Sequence, residues 1–148
     1  MSKSRIYIRT VIGGLLPVLV IALGVVGVGA SPAHAGSWTV LHSRHGGALV
    51  ACKTPVDSPY GPLWRVQVAL INGSATHGHN GGVTVRRNDP YSGRTIHSVS
   101  FHEAAGQWSN IRYVYVSRVR NDYMLWGFGE WNGSGLGGDV GMRYISYC

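Results

Sequence analysis

Residues 63–72, LWRVQVALIN, place Trp64, Val66, Val68 and Leu70 on alternate positions with Arg65 and Gln67 between them. A period of two puts the apolar side chains on one strand face and the polar ones on the other, as in a sheet with one buried face. This alternation constrains the chain most, because it recurs and nothing competes with it. After residue 36 no segment keeps a 3.6-residue apolar period for ten or more positions. Further strands are expected at 38–42, 47–53, 82–87, 95–101, 111–119, 123–131 and 140–147. The gaps TPVDSPYGP, GSATHGHNGG, NDPYSG, HEAAGQWSN, RND and NGSGLGGD carry the Gly, Pro, Asn or Asp that turns require. Seven or eight strands so spaced predict an all-β fold, an antiparallel β-sandwich, with a small β-barrel as the alternative. There is no internal repeat and no sign of a second folded domain.

One long apolar stretch stands apart, Val11 to Ala30, preceded by Lys3, Arg5 and Arg9 with no acidic residue among them. Roughly 20 apolar residues suffice to cross a bilayer, so an uncleaved membrane anchor is one reading. Pro17 and five glycines dilute the stretch, however, and Ala33-His34-Ala35 follows it as an A-x-A cleavage site. Residues 1–35 therefore read as a signal peptide with a signal helix, and 36–148 as a secreted, extracellular β domain with no membrane attachment after cleavage. No arginine pair precedes the stretch, which argues against twin-arginine export. No cysteine closely follows it, which argues against a lipidated N-terminus. Cleavage after Ala33 instead would expose His34, and an N-terminal histidine that chelates copper is how secreted copper polysaccharide oxygenases begin. The chain resembles them there alone and is short for their sandwich.

Removing Lys3, Arg5 and Arg9 from the 13 basic residues leaves ten against 6 acidic ones, so much of the formal charge of +7 belongs to the leader. The two cysteines, Cys52 and Cys148, have no other partner, and in an oxidising compartment they are expected to form one disulfide. Neither a CxxC redox nor a zinc pattern is present.

Other motifs weigh less. GSGLGG, 133–138, has the spacing of a dinucleotide fingerprint but no room for the helix and acidic partner that such a site needs, and it reads as a hairpin loop. His42 with His45, and His77 with His79, have spacings that can chelate zinc or copper. The 77–79 pair sits in a Gly-rich loop with no neighbouring cysteine or carboxylate, further ligands are missing, and no metal and no cofactor is expected. The nucleophile elbow, H-E-x-x-H, the P-loop and the kinase signatures are all missing. Among the carboxylates, Glu103 and Glu130 are the least turn-like and would be the pair for a glycosidase if they faced one cleft. Asp57, Asp89, Asp122 and Asp139 read as turn residues. Asn72-Gly73-Ser74 and Asn132-Gly133-Ser134 match the glycosylation pattern.

The distinctive usage is aromatic and arginine-rich. Trp64, Tyr113, Trp126 and Phe128 fall in strands and read as packing. Tyr60, Tyr91, Trp108 and Trp131 fall in or beside turns, where a ring is harder to bury and is free to stack on a sugar or another flat surface. Arg86, Arg87 and Arg94 flank the NDPYSG turn, and a planar guanidinium suits carboxylate or phosphate partners. The expected binding residues are Tyr60, Tyr91, Trp108, Trp131, Arg86 and Arg94. The expected partner is an anionic surface polymer, a polysaccharide or a protein, and an extracellular destination disfavours nucleic acid.

With its leader, its late-closing cysteine pair, HGGALVAC at 45–52, NGGVTV at 80–85 and a terminal Cys148, the chain resembles small secreted proteins of actinomycete bacteria. The resemblance implies secretion and a β domain, and it lends no activity and no functional residues. The expectation is a non-enzymatic, exported binding sandwich. The alternatives are a small secreted hydrolase or copper enzyme, and an exported protein inhibitor or toxin presenting KTPVDSPYGP as a wedge.

Overall fold

In a computed structural model the described residues are 37–148; the expected signal peptide, the A-x-A site and His34 lie outside them. The chain forms β1 (Thr39–Arg44), β2 (Gly47–Val56), β3 (Leu63–Asn72), β4 (His79–Arg87), β5 (Arg94–Glu103), β6 (Arg112–Ser117), β7 (Asp122–Glu130) and β8 (Leu136–Val140). These make two four-stranded antiparallel sheets, in the orders β1-β2-β3-β6 and β5-β4-β7-β8. The fold is the expected sandwich, with two separate sheets rather than the one closed sheet of a barrel.

Alternation is what joins the layers. Val66, Val68 and Leu70 of β3 are completely buried, with Leu49 and Ala51 of β2 and Val114 and Val116 of β6 beside them. Val83, Val85, Phe101, Met124 and Phe128 meet them from the other sheet, and Trp64 packs at the margin. Burying such aliphatic and aromatic side chains contributes about 1.5–3 kcal/mol each against leaving them exposed.

Residues 140–147, expected as one strand, do something else. The final strand comes earlier, at Leu136–Val140, all but its last residue inside the segment that reads as a loop, and a 3-10 turn at Met142–Tyr144 follows it. The glycines explain the shift: a Cβ on Gly137 would sit 2.9 Å from the Trp126 carbonyl oxygen, and one on Gly138 would sit 3.4 Å from the Trp126 indole. Only bare backbone lets β8 lie that close to β7.

After the turn, Ile145 enters the core and the tail runs parallel to β2, with Lys53 N–H donating to Ser146 O at 2.9 Å and Cys148 N–H to Lys53 O at 3.0 Å. Cys52 and Cys148 are joined as expected, their Cα atoms 5.0 Å apart and 96 positions apart in sequence. Lys53, 5 % exposed, threads between the Trp64 and Tyr147 rings, 4.8 and 4.9 Å from their centroids, and donates to Met142 O. Desolvation lowers its pKa below the usual lysine value.

One end of the sandwich is organised by Asn72, which has no exposed surface. Its amide nitrogen donates toward the carbonyls of His77, Glu103 and Ala104 at 2.9, 3.2 and 2.8 Å. Its oxygen accepts from Ser74 N–H at 3.1 Å and from His79 Nδ1 at 3.0 Å. The Asn72 glycosylation pattern is thus buried and fully engaged. At the other end, Asp122 accepts from Arg87 Nε at 2.8 Å, from Arg87 Nη2 at 3.2 Å and from Ser117 N–H at 3.0 Å, tying the β6–β7 crossing to β4.

Candidate functional site

The outer face of the β5-β4-β7-β8 sheet is paved with small residues. Register aligns Ser100, Gly82, Gly127 and Gly137 in one row across all four strands, about 14 Å at the usual strand spacing. Three adjacent glycines leave the floor low. Thr84, Leu125 and Ser98 stand on one side of the row, and Asn80 stands on the other. Thr84 and Ser98 hydroxyls hydrogen-bond at 3.1 Å. The result is an open trough of about 670 Å³, lined also by Arg86, Tyr91 and, from the β8 edge, Leu136.

A rigid turn presents Tyr91 there. Asp89 Oδ1 accepts from the N–H groups of Tyr91 and Ser92 at 2.8 and 2.6 Å and from Ser92 Oγ at 2.9 Å, and Gly93 N–H donates to Asp89 O at 3.0 Å. The Ser92 N–H first, then the Tyr91 N–H and the Ser92 hydroxyl, hold the Asp89 carboxyl below the usual range, with Arg86 adding its charge. Arg86 Nη1 donates to Tyr91 O and, at 3.4 Å, to Pro90 O. Among the described residues Arg86 forms no ion pair. The Tyr91 ring itself is 79 % exposed.

The six expected binding residues do not form one site. Arg86 and Tyr91 meet at the trough. Trp131 lies at the opposite end of the molecule from Tyr91, partly held by the protein and partly exposed: its ring stacks flat on His102 at 4.3 Å, its Nε1 donates to His79 O at 3.1 Å and it lies close against Gly78, yet 43 % of the residue stays accessible. Trp108 is exposed beside Ile71 of the other sheet. Tyr60 is exposed in the β2–β3 turn, near a small hollow that it shares with Arg87, Asp122 and Tyr115. Arg94 is exposed at the start of β5, opposite Arg87.

The structure also splits both histidine pairs. His42 stacks on Trp126 at 5.1 Å, whereas His79 is buried against Phe128 at 5.3 Å with its Nε2 unpartnered. Their sequence neighbours His45 and His77 instead meet each other, ring centroids 5.4 Å apart, beside Glu130. Spacing along the chain gave no sign of this trio, because its members come from three different connections and strand ends.

Glu103 and Glu130 both pair with His79, one from each side, so they stand two strands apart, about 9.5 Å. Completely buried His79 fills the row between them, where a glycosidase would need an open cleft.

Within 37–148 no helix is long and apolar enough to cross a membrane. No protein-family model matches the chain, and no relative among curated proteins matches it.

Proposed function

We propose that the protein is an exported, non-enzymatic binding module that takes an extended polysaccharide chain in the trough. The carrying observation is the glycine floor itself. Three glycines in one transverse row leave backbone and short hydroxyls where side chains would otherwise stand, a surface on which a flat, polar chain can lie. Tyr91 supplies a preorganised stacking ring, and holding it in a turn lowers the ordering cost of binding. Arg86 supplies a cation for a carboxylate or phosphate on the polymer. The disulfide, together with the leader and cleavage site, supports an extracellular place of work. Tyr60, Trp108, Trp131 and Arg94 lie outside this site.

Sedimentation with insoluble cell-wall and plant polysaccharides tests the proposal. Tyr91→Ala and Arg86→Gln are expected to lose binding, while Trp108→Ala keeps it. Equal binding by all three variants, or loss only in Trp108→Ala, moves the site off this face.

A further inference from the structure

Apart from the trough, the most concentrated chemistry among the described residues lies at the other end of the sandwich. One potential ligand atom from each of His45, His77 and Glu130 lies within 4.8 Å of the others. We propose that these three residues form a divalent transition-metal site, for zinc or copper, which does not depend on the polysaccharide reading.

Each ligand is held by its surroundings. His45 and Gly46 are the two central residues of the β1–β2 hairpin, at φ 43° and 83°, as a two-residue turn with both central residues left-handed requires. Glycine adopts this freely, but a histidine there carries a conformational cost, and the turn aims it at Glu130. His77 sits in a loop fixed by Asn72, with Ser74 Oγ accepting from His77 N–H at 3.0 Å. Its Nδ1 is engaged by Thr76 Oγ1 at 2.8 Å and Ser74 Oγ at 3.4 Å, which leaves Nε2 as the free nitrogen. Fixing one imidazole nitrogen by a hydrogen bond so that the other can bind is how metal-ligating histidines are oriented. Glu130 ends β7, anchored by the ladder to His79.

The donor atoms themselves suit a transition metal. Two imidazoles and a carboxylate suit zinc and copper, and three protein ligands leave a position for water or an external group. Ligand atoms about 2.0–2.1 Å from a tetrahedral zinc lie roughly 3.3 Å from one another, so the widest gap in the trio must close by about an ångström while the hydrogen-bonded His45 Nδ1 and Glu130 Oε1 move slightly apart. His45 and His77 are exposed and can do this by side-chain rotation. His45 Nδ1 is already hydrogen-bonded to Glu130 Oε1, and a metal ion would take the place of that shared proton. Arg44 Nε, 3.6 Å from Glu130 Oε1, works against a cation, so its removal should help one bind.

The test is titration of untagged, oxidised protein, expressed from the full chain, with zinc alone and with copper alone at neutral pH. Saturable binding of one ion per chain is expected. His45→Ala, His77→Ala and Glu130→Gln should each weaken it at least tenfold. His42→Ala should not change it, and Arg44→Gln should tighten it severalfold. Copper-loaded protein should show two nitrogen donors by electron paramagnetic resonance, and one in either histidine variant. Unfolding midpoints of the apo variants separate a lost ligand from a lost fold. Wild-type binding too weak to saturate at millimolar ion would overturn the proposal, as would single variants that bind like wild type or loss of binding in His42→Ala.

Discussion

Replacing one carboxylate by its amide, Asp122→Asn, separates a buried ion pair from an ordinary turn residue. The Asp122 side chain is 1 % accessible and Arg87 24 %, and the carboxylate accepts three hydrogen bonds. The amide keeps the shape but turns an NH₂ toward an N–H or guanidinium donor, so at least one bond is lost and Arg87 loses its counter-charge. Breaking a fully buried pair costs about 3–5 kcal/mol, and water reaching the part-exposed Arg87 reduces this, so about 2–3 kcal/mol is expected at neutral pH. Urea unfolding with the disulfide intact would then move its midpoint down by about 0.7–3 M, given a slope of about 1–3 kcal/mol per molar. The cost also has a pH signature. Burial pushes the Asp122 pKa up, but the Arg87 hydrogen bond, the Ser117 N–H and the charges of Arg87 and Arg120 together outweigh it, and the net shift is downward. A depressed folded-state pKa contributes stability that is complete above the unfolded value of about 3.9 and is lost as pH falls through the folded value. The gap between wild type and variant should therefore be full at pH 6–7 and close in strong acid. A midpoint shift under about 0.3 M at pH 7, or a gap unchanged in acid, would refute the assignment.

Two further perturbations act on the tail and its neighbour. Replacing both Cys52 and Cys148 by serine opens a loop spanning 96 positions, which should cost about 4–5 kcal/mol in thermal or urea unfolding, less whatever the paired tail retains. Lys53→Met keeps the slot between Trp64 and Tyr147 filled and removes a desolvated cation, so stability at pH 7 should change by no more than about 1 kcal/mol in urea titrations. Because the folded-state pKa of Lys53 lies below its unfolded value, the unfolded chain binds more protons between the two. Wild type should gain on Lys53→Met as pH rises through that interval.

Much of the sandwich was legible because its signals are local. LWRVQVALIN names its own buried face, NDPYSG specifies its own turn, and two cysteines leave one pairing. The final strand was not legible, since Leu136–Val140 is rich in glycine, carries no apolar alternation of its own and is held by its close fit to Gly127 and Trp126 of the preceding strand. The same limit applied to function. Aromatic content marked Tyr91 and Trp131 alike, but only the fold shows one face of Trp131 stacked on His102 and its Nε1 bonded to His79 O, while the Tyr91 ring is the more exposed of the two. The glycine floor was invisible as well, because it arises from register: Gly82, Gly127 and Gly137 become neighbours only when three strands pair.

If the glycine floor binds the polymer, a side chain raised at Gly127 should block it. A Cβ there has its nearest neighbour, the Leu136 carbonyl oxygen, 4.0 Å away, so the position takes a Cβ without a clash and the branches of a valine extend over the row between Gly82 and Gly137. Strand propensity favours valine over glycine on a scale of about 1 kcal/mol, so the fold should hold or gain. Calorimetric titration of Gly127→Val with the polysaccharide that wild type retains should show affinity reduced at least tenfold at an unchanged or higher unfolding midpoint. Wild-type affinity in Gly127→Val would mean that the polymer binds elsewhere.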